Sequence, residues 1–195
     1  MAAIATMRAL SAVRNASLRD VRPGWAIFPK NGGATVSDIY VDGDACPVRE
    51  EVYRVAGRLG LQVAVVSNGS RPIRPPGLAN VRMVVVDDRA DAADDWIVER
   101  ITPADICVTA DIPLASRSLA KGARAIAPTG KIWTSDNIGH ALAGREVARH
   151  LRELGAGGGG HAPFSKQDRS RFLSALDTLV QATLRDQHNT TAGQQ

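Results

Sequence analysis

Aromatic residues make up only 4% of the 195-residue chain, so stacking of bases on an aromatic platform, the usual device of single-strand binders, has little material here. Cysteine is scarcer still. With Cys46 and Cys107 alone, the sequence has neither a disulfide framework nor a four-thiolate zinc site, which points to a reducing, cytoplasmic setting. No run approaches the ~20 apolar residues that a membrane helix requires, so a membrane-spanning helix is excluded. Excess charge is also missing from most of the chain. The formal charge is +4, but Arg8, Arg14, Arg19, Arg22 and Lys30 against Asp20 alone account for it, and residues 37–195 balance 19 basic side chains against 19 acidic ones. Affinity for phosphates there must come from a local patch rather than from the global field.

What the chain does have is a globular balance, 44% hydrophobic and 23% charged, and a regular pattern that begins near Ser37. Residues 1–36 show no period and are interrupted by Pro23, Gly24, Pro29, Gly32 and Gly33. They read as an extension outside the native domain, with translation starting after them. Short β-rich runs follow at Ile39–Val41, Leu61–Val66, Val81–Val86, Ile106–Val108 and Ala125–Ala127, of a length suited to buried strands. Helical stretches alternate with them over residues 47–59, 91–101 and 113–121. Beyond the last strand, Ser135 is placed to cap a helix reaching Leu154, with Ile138, Leu142, Val147, Leu151 and Leu154 as its apolar positions. A link of five glycines and one alanine (155–160) follows, and Ser165 and Asp168 open a final helix striped by Phe172, Leu176, Leu179, Val180 and Leu184. The expectation is a three-layer α/β domain over residues 37–185 with five parallel strands, the last two helices on one side of the sheet, and a flexible tail over 186–195.

Ten of the 15 aspartates lie between Asp38 and Asp111, and several fall just past strands. Ligands collect at the carboxyl ends of parallel strands. Asp42 follows the first strand and Asp111 the fourth, while Asp91, Asp94 and Asp95 open the second helix and Asp44 lies beside Asp42. Carboxylates facing one point repel, and Mg²⁺ or Mn²⁺ is the usual remedy, which suggests metal-assisted phosphoester hydrolysis. Asp91 and Asp94 equally suit helix capping, and Asp88 and Asp105 read as solvated turn residues. Asn68 at the end of the second strand, Arg71 and Arg74 in the proline-rich connection, and Lys121 and Arg145 further on are the groups available to position phosphates. Cys46 reads as a packed thiol, and all four histidines as structural or surface groups. The run I-Y-V-D-G-D-A-C is similar to the nucleophile strand of haloacid-dehalogenase-type phosphatases. Pro47 opens the next helix only five residues after Asp42, leaving no room for that fold's flap.

Taken in order, V-D-G-D-A-C-P (Val41 to Pro47), D-A-A-D-D-W-I (Asp91 to Ile97), T-A-D-I-P-L-A (Thr109 to Ala115), P-T-G (Pro128 to Gly130), T-S-D-N-I (Thr134 to Ile138) and D-R-S-R-F (Asp168 to Phe172) resemble the bacterial YaiI/YqxD family. That family is itself similar to PIN-like nuclease domains. The resemblance implies a parallel sheet with an acidic metal pocket, in which Asp42 matches the first acid, one of Asp91, Asp94 and Asp95 the helix acid, and Asp111 the aspartate of an S-G-D-type motif. Two positions depart from the pattern. Gly43 stands where the family usually has Ala, and Pro113 where many PIN-like nucleases have a second Asp, a ligand that Asp44 could replace. The resulting expectation is a metal-dependent nuclease with Asp42, Asp95 and Asp111 catalytic, acting on RNA or another single-stranded nucleic acid. The alternatives are a non-catalytic RNA-binding or regulatory module, and a haloacid-dehalogenase-type phosphatase.

Overall fold

The computed structural model describes residues 38–44, 46–70, 72–154 and 164–192; the expectations for residues 1–36, for Arg71 and for the glycine link lie outside them. Six strands form one sheet: β1 (Asp38–Asp42), β2 (Gln62–Ser67), β3 (Val81–Val85), β4 (Ile106–Val108), β5 (Arg124–Ile126) and β6 (Ile132–Trp133), in the order β3-β2-β1-β4-β5-β6. The first five are mutually parallel, as the alternation of strand and helix predicts. β6 adds an antiparallel edge beside β5. It is too short to show a period of two, and it exists because the P-T-G turn reverses the chain. Gly130 takes the left-handed conformation (φ 84°), and its N–H donates to the Ala127 carbonyl (2.9 Å) while the Ala127 N–H donates to Lys131 O (2.8 Å). A Cβ at Gly130 would lie 3.1 Å from the backbone of Arg171, so the turn also seats against the last helix.

Because successive strand residues point to opposite faces, two cores result. Ile39, Val41, Val63, Val65, Ile106, Val108 and Ile126 face α1 (Arg49–Leu59) and α5 (Lys166–Ala192), which contribute Val52, Val55, Phe172, Leu176 and Val180. On the other face Tyr40, Ala64, Val66, Cys107, Ala125 and Ala127 meet α2 (Ala92–Arg100), α3 (Ile112–Ala120) and α4 (Ser135–Glu153) through Ile97, Leu114, Ala115 and Ile138. The layers are therefore α/β/α, but the last two helices do not share a side. α5 pairs with α1, whereas α4 leans on α3, since α4 follows the β6 edge directly and the broad stripe of α5 finds its match on the uncovered half of the opposite face.

Local sequence explains the helix ends. Thr134, not Ser135, caps α4, its N–H donating to Asn137 Oδ1 (3.1 Å). The Ser165–Asp168 box forms as expected: the Ser165 N–H and Oγ–H both donate to Asp168 Oδ2 (2.9 and 2.7 Å). α4 holds the sheet only through its first turns; Ile138 is buried, Ala141 and Leu142 are partly so, and Val147, Leu151 and Leu154 are exposed. α5 is clamped by Arg169, whose Nη1 donates to the Pro47 carbonyl (3.1 Å) and to both oxygens of buried Glu51 (3.1 and 3.2 Å). The helix continues to Ala192, with Asp186 paired to Arg124 and Gln187 donating to Ala104 O (3.2 Å). Asp105 corrects the reading of a solvated turn. It is buried, accepting from Asp38 N–H (3.0 Å) and from the Thr102 N–H and hydroxyl (2.8 and 2.6 Å), and so ties the start of β1 to that of β4.

Candidate functional site

Val41 is level with Val108 in the β1–β4 ladder, which brings the next residues, Asp42 and Thr109, side by side where the strands end. Asp42 is buried, and its Oδ2 accepts the Thr109 hydroxyl at 2.9 Å. Thr109 Oγ1 in turn accepts the Asp111 N–H at 2.9 Å. One hydroxyl thus links the Asp42 carboxylate to the backbone of Asp111. Past Asp42 the chain turns sharply. The Gly43 N–H donates to Val66 O (2.7 Å), and a Cβ there would lie 2.9 Å from both Ile73 Cδ1 and Val65 Cγ1; the glycine therefore lets the turn sit tight on β2. Arg49 fixes it from outside by donating to Gly43 O (2.7 Å). Asp44 then points back over β2, where its Oδ2 accepts the Asn68 N–H (2.9 Å) and its Oδ1 is buried with no hydrogen-bond partner among the described residues.

α2 supplies the opposite wall. Asp91, at its N-cap, is the non-glycine residue with positive φ (61°) among the described residues, and its side chain makes no capping bond. The cap reading thus gives the position of Asp91 but not its interaction. Asp42, Asp44, Asn68, Arg89, Asp91, Ala92, Ala93, Asp94 and Asp111 line one open cleft of about 250 Å³. The crowding shows in the acidities. Burial, then the charges of Asp42, Asp111 and Asp91, push the Asp94 carboxyl up to about 6. Asp42 is also raised, by burial first and by Asp44 and Asp111, against the lowering effect of the Thr109 hydrogen bond.

Five of the six proposed metal-site aspartates therefore line the same cleft. Asp95, also proposed as catalytic, does not line the cleft: it lies between Arg117 (2.7 Å) and Arg89 (3.0 Å), whose hydrogen bonds hold its carboxyl below the usual range. Of the phosphate-positioning candidates, Asn68 lines the cleft, and Arg145 reaches it from α4 by pairing with Asp111 (3.0 Å). Arg74 is exposed on the β2–β3 connection, and Lys121 closes the far end of α3, the helix whose N-cap is Asp111. Pro113 sits in the first turn of α3, where its missing N–H costs nothing. Burial pushes the Cys46 thiol up to about 12, in keeping with a packed thiol. Thr109 and Arg89 were not singled out from sequence. A hydroxyl two residues before a strand-end carboxylate was the legible signal for Thr109; Arg89 had none, because its position depends on α2. Among the described residues, no three His, Cys, Asp or Glu side chains stand close enough to enclose a metal ion as placed.

The family described as "Uncharacterized BCR, YaiI/YqxD family" matches residues 40–182. The chain belongs to the YaiI/YqxD family. It is similar to the UPF0178 proteins of Paramagnetospirillum magneticum (54% identical over 145 residues, 74% of this chain and 95% of that one) and Rhodospirillum centenum (53% over 152 residues, 76% and 97%). The UPF0178 protein of Rhodospirillum rubrum is 53% identical over 148 residues, 76% of this chain and 98% of that one. No solved structure matches with significance. The YaiI/YqxD match spans every cleft residue from Asp42 to Asp111, and Arg145 beyond them.

Proposed function

We propose that the cleft is the active site of a divalent-metal-dependent phosphodiesterase acting on RNA or another single-stranded nucleic acid. The observation that carries this reading is the gathering of Asp42, Asp44, Asp91, Asp94 and Asp111 around one opening, with Asp94 pushed up to about 6 by burial and by its acidic neighbours. The donor set is all carboxylate oxygen, which suits a hard cation such as Mg²⁺ or Mn²⁺, and the partnerless Asp44 Oδ1 fits a missing positive charge. Asp42, Asp44 and Asp111 would hold the ion, with Asp91 or Asp94 completing the set. When bound, the ion supplies charge that offsets the charge growing on the phosphoryl group.

The protein's own groups supply the rest. Thr109 orients Asp42 and fixes the backbone of Asp111. Asp94, its carboxyl pushed up to about 6, exchanges its proton closer to neutrality than an ordinary carboxyl and so suits proton transfer to or from water or the leaving oxygen. Asn68 and Arg89, both on the cleft wall, can donate to phosphate oxygens, contacts that position a strand without reading its sequence. Cys46 and Cys107, both unpaired and buried, accord with a cytoplasmic setting. Among the described residues no helix is long and apolar enough to cross a membrane.

The test is cleavage of labelled RNA and DNA oligonucleotides with Mg²⁺ or Mn²⁺, comparing the wild type with Asp42→Asn and Asp111→Asn. These changes remove charge at nearly constant shape, so both variants should lose roughly a hundredfold or more in rate while remaining folded. Absence of metal-dependent cleavage in the wild type, or variants that match it, would reject the enzyme reading; salt-dependent RNA binding would then be the quantity to measure.

A further inference from the structure

Asp111 is a cleft carboxylate already held by a full positive charge. Arg145 Nη1 lies 3.0 Å from its Oδ1, and the arginine arrives from α4, 34 residues along the chain. The pair is solvated, with side-chain exposures of 49% for Arg145 and 30% for Asp111. Such a pair is cheap to break. Its position on the helix adds reach: Ile138 and Leu142 anchor the preceding turns, and everything from Ala143 to Leu154 is exposed. The guanidinium neutralises the carboxylate charge that would draw a divalent cation to Asp111 and repels the ion at short range, so the two compete for Asp111, and the doubly charged ion is the stronger competitor among several carboxylates.

We propose that Arg145 is a built-in counter-ion of Asp111, displaced when a divalent cation binds, and that the released guanidinium then takes a phosphate oxygen of a single-stranded nucleic acid at the cleft mouth. The inference rests on the metal-dependent reading of the cleft and goes beyond it, by making phosphate binding conditional on the cation. Released from Asp111, Arg145 presents its planar fork of five N–H donors, the geometry that grips phosphate bidentately.

Mn²⁺ titration of the full chain, followed by electron paramagnetic resonance, tests the first half. Arg145→Met should bind Mn²⁺ about threefold more tightly than the wild type, the gain expected when an exposed competing ion pair is removed. Arg145→Lys should fall between the two. Arg149→Met, which removes an equal charge one turn further along α4 from the pairs with Glu146 and Glu153, should match the wild type. Anisotropy of a labelled single-stranded RNA, recorded before cleavage proceeds, tests the second half. Arg145→Met should weaken binding about tenfold with Mn²⁺ present and less than about twofold without it. Unchanged or weaker Mn²⁺ binding by Arg145→Met, or an RNA loss equal with and without the ion, overturns the proposal. If the wild type binds Mn²⁺ and Asp111→Asn releases it, such a result rejects the role of Arg145 alone. If the wild type takes up no Mn²⁺, the metal-dependent reading falls with it.

Discussion

Replacing Asp94 by Asn removes a charge that the fold disfavours. The carboxyl is raised from 3.8 to about 6, by burial first and then by Asp42, Asp111 and Asp91. A group whose acidity is weakened on folding binds its proton more tightly in the native state. Its penalty is therefore absent below about pH 4, grows as the pH rises through 6, and is complete by pH 8. A shift of about two units corresponds to roughly 3 kcal/mol for a group shut away from water. Asp94 stands at an open cleft, and solvent screening reduces this to about 1 kcal/mol. Asp94→Asn should accordingly be about 1 kcal/mol more stable than the wild type at pH 8, some 2–4 °C in melting temperature, with the gain gone at pH 4. Urea denaturation at the two pH values measures it. Saturating Mg²⁺ should raise the wild-type melting temperature at pH 8 by relieving the same repulsion, and raise that of Asp94→Asn less. A gain independent of pH, or a variant less stable at pH 8, would refute the argument that crowded charge governs this site.

Thr109→Val keeps the shape of the side chain but strips buried Asp42 of its hydroxyl donor, so it should cost about 1–3 kcal/mol and raise the Asp42 pKa further; Thr109→Ser should restore both, by denaturation and by NMR titration of the carboxyl. Arg169→Met leaves Glu51 buried without its cation and should cost about 3 kcal/mol. Adding Glu51→Gln should recover part of that loss, and a double-mutant cycle that shows no coupling would contradict the clamp.

Much of this was legible because parallel strands and amphipathic helices write their periods plainly. β1, β2 and β4 are short apolar runs that end in Asp42, Ser67 and Val108, and parallel order alone put their loops together. The T-A-D and D-G-D runs therefore marked the cleft before any side chain was placed. What stayed hidden depends on tertiary choice. The apolar spacing of α4 continues through Val147, Leu151 and Leu154, yet these are exposed, because period reports which residues share a face and not whether anything lies against it. The same limit hid which side of the sheet α5 would cover. Asp94 and Asp95 are adjacent, and sequence could not choose between them; the helix phase turns Asp94 toward the cleft and Asp95 toward Arg89 and Arg117. Asp105 looked like any polar turn residue, since its bonds from Thr102 are those of a local turn and the bond from the Asp38 N–H is made to a group that only the fold brings near.

The docking of α5 has a consequence for how the protein is made. Chains leave the ribosome N-terminal end first and domains fold as they emerge. β1, α1 and β2 come out early, and their shared apolar face, with Ile39, Val41, Val63 and Val65, needs Phe172, Leu176 and Val180 to be sealed. More than a hundred residues separate the two sets. During that interval of synthesis a nascent chain with a nearly complete cleft carries an uncovered apolar flank until the last helix arrives.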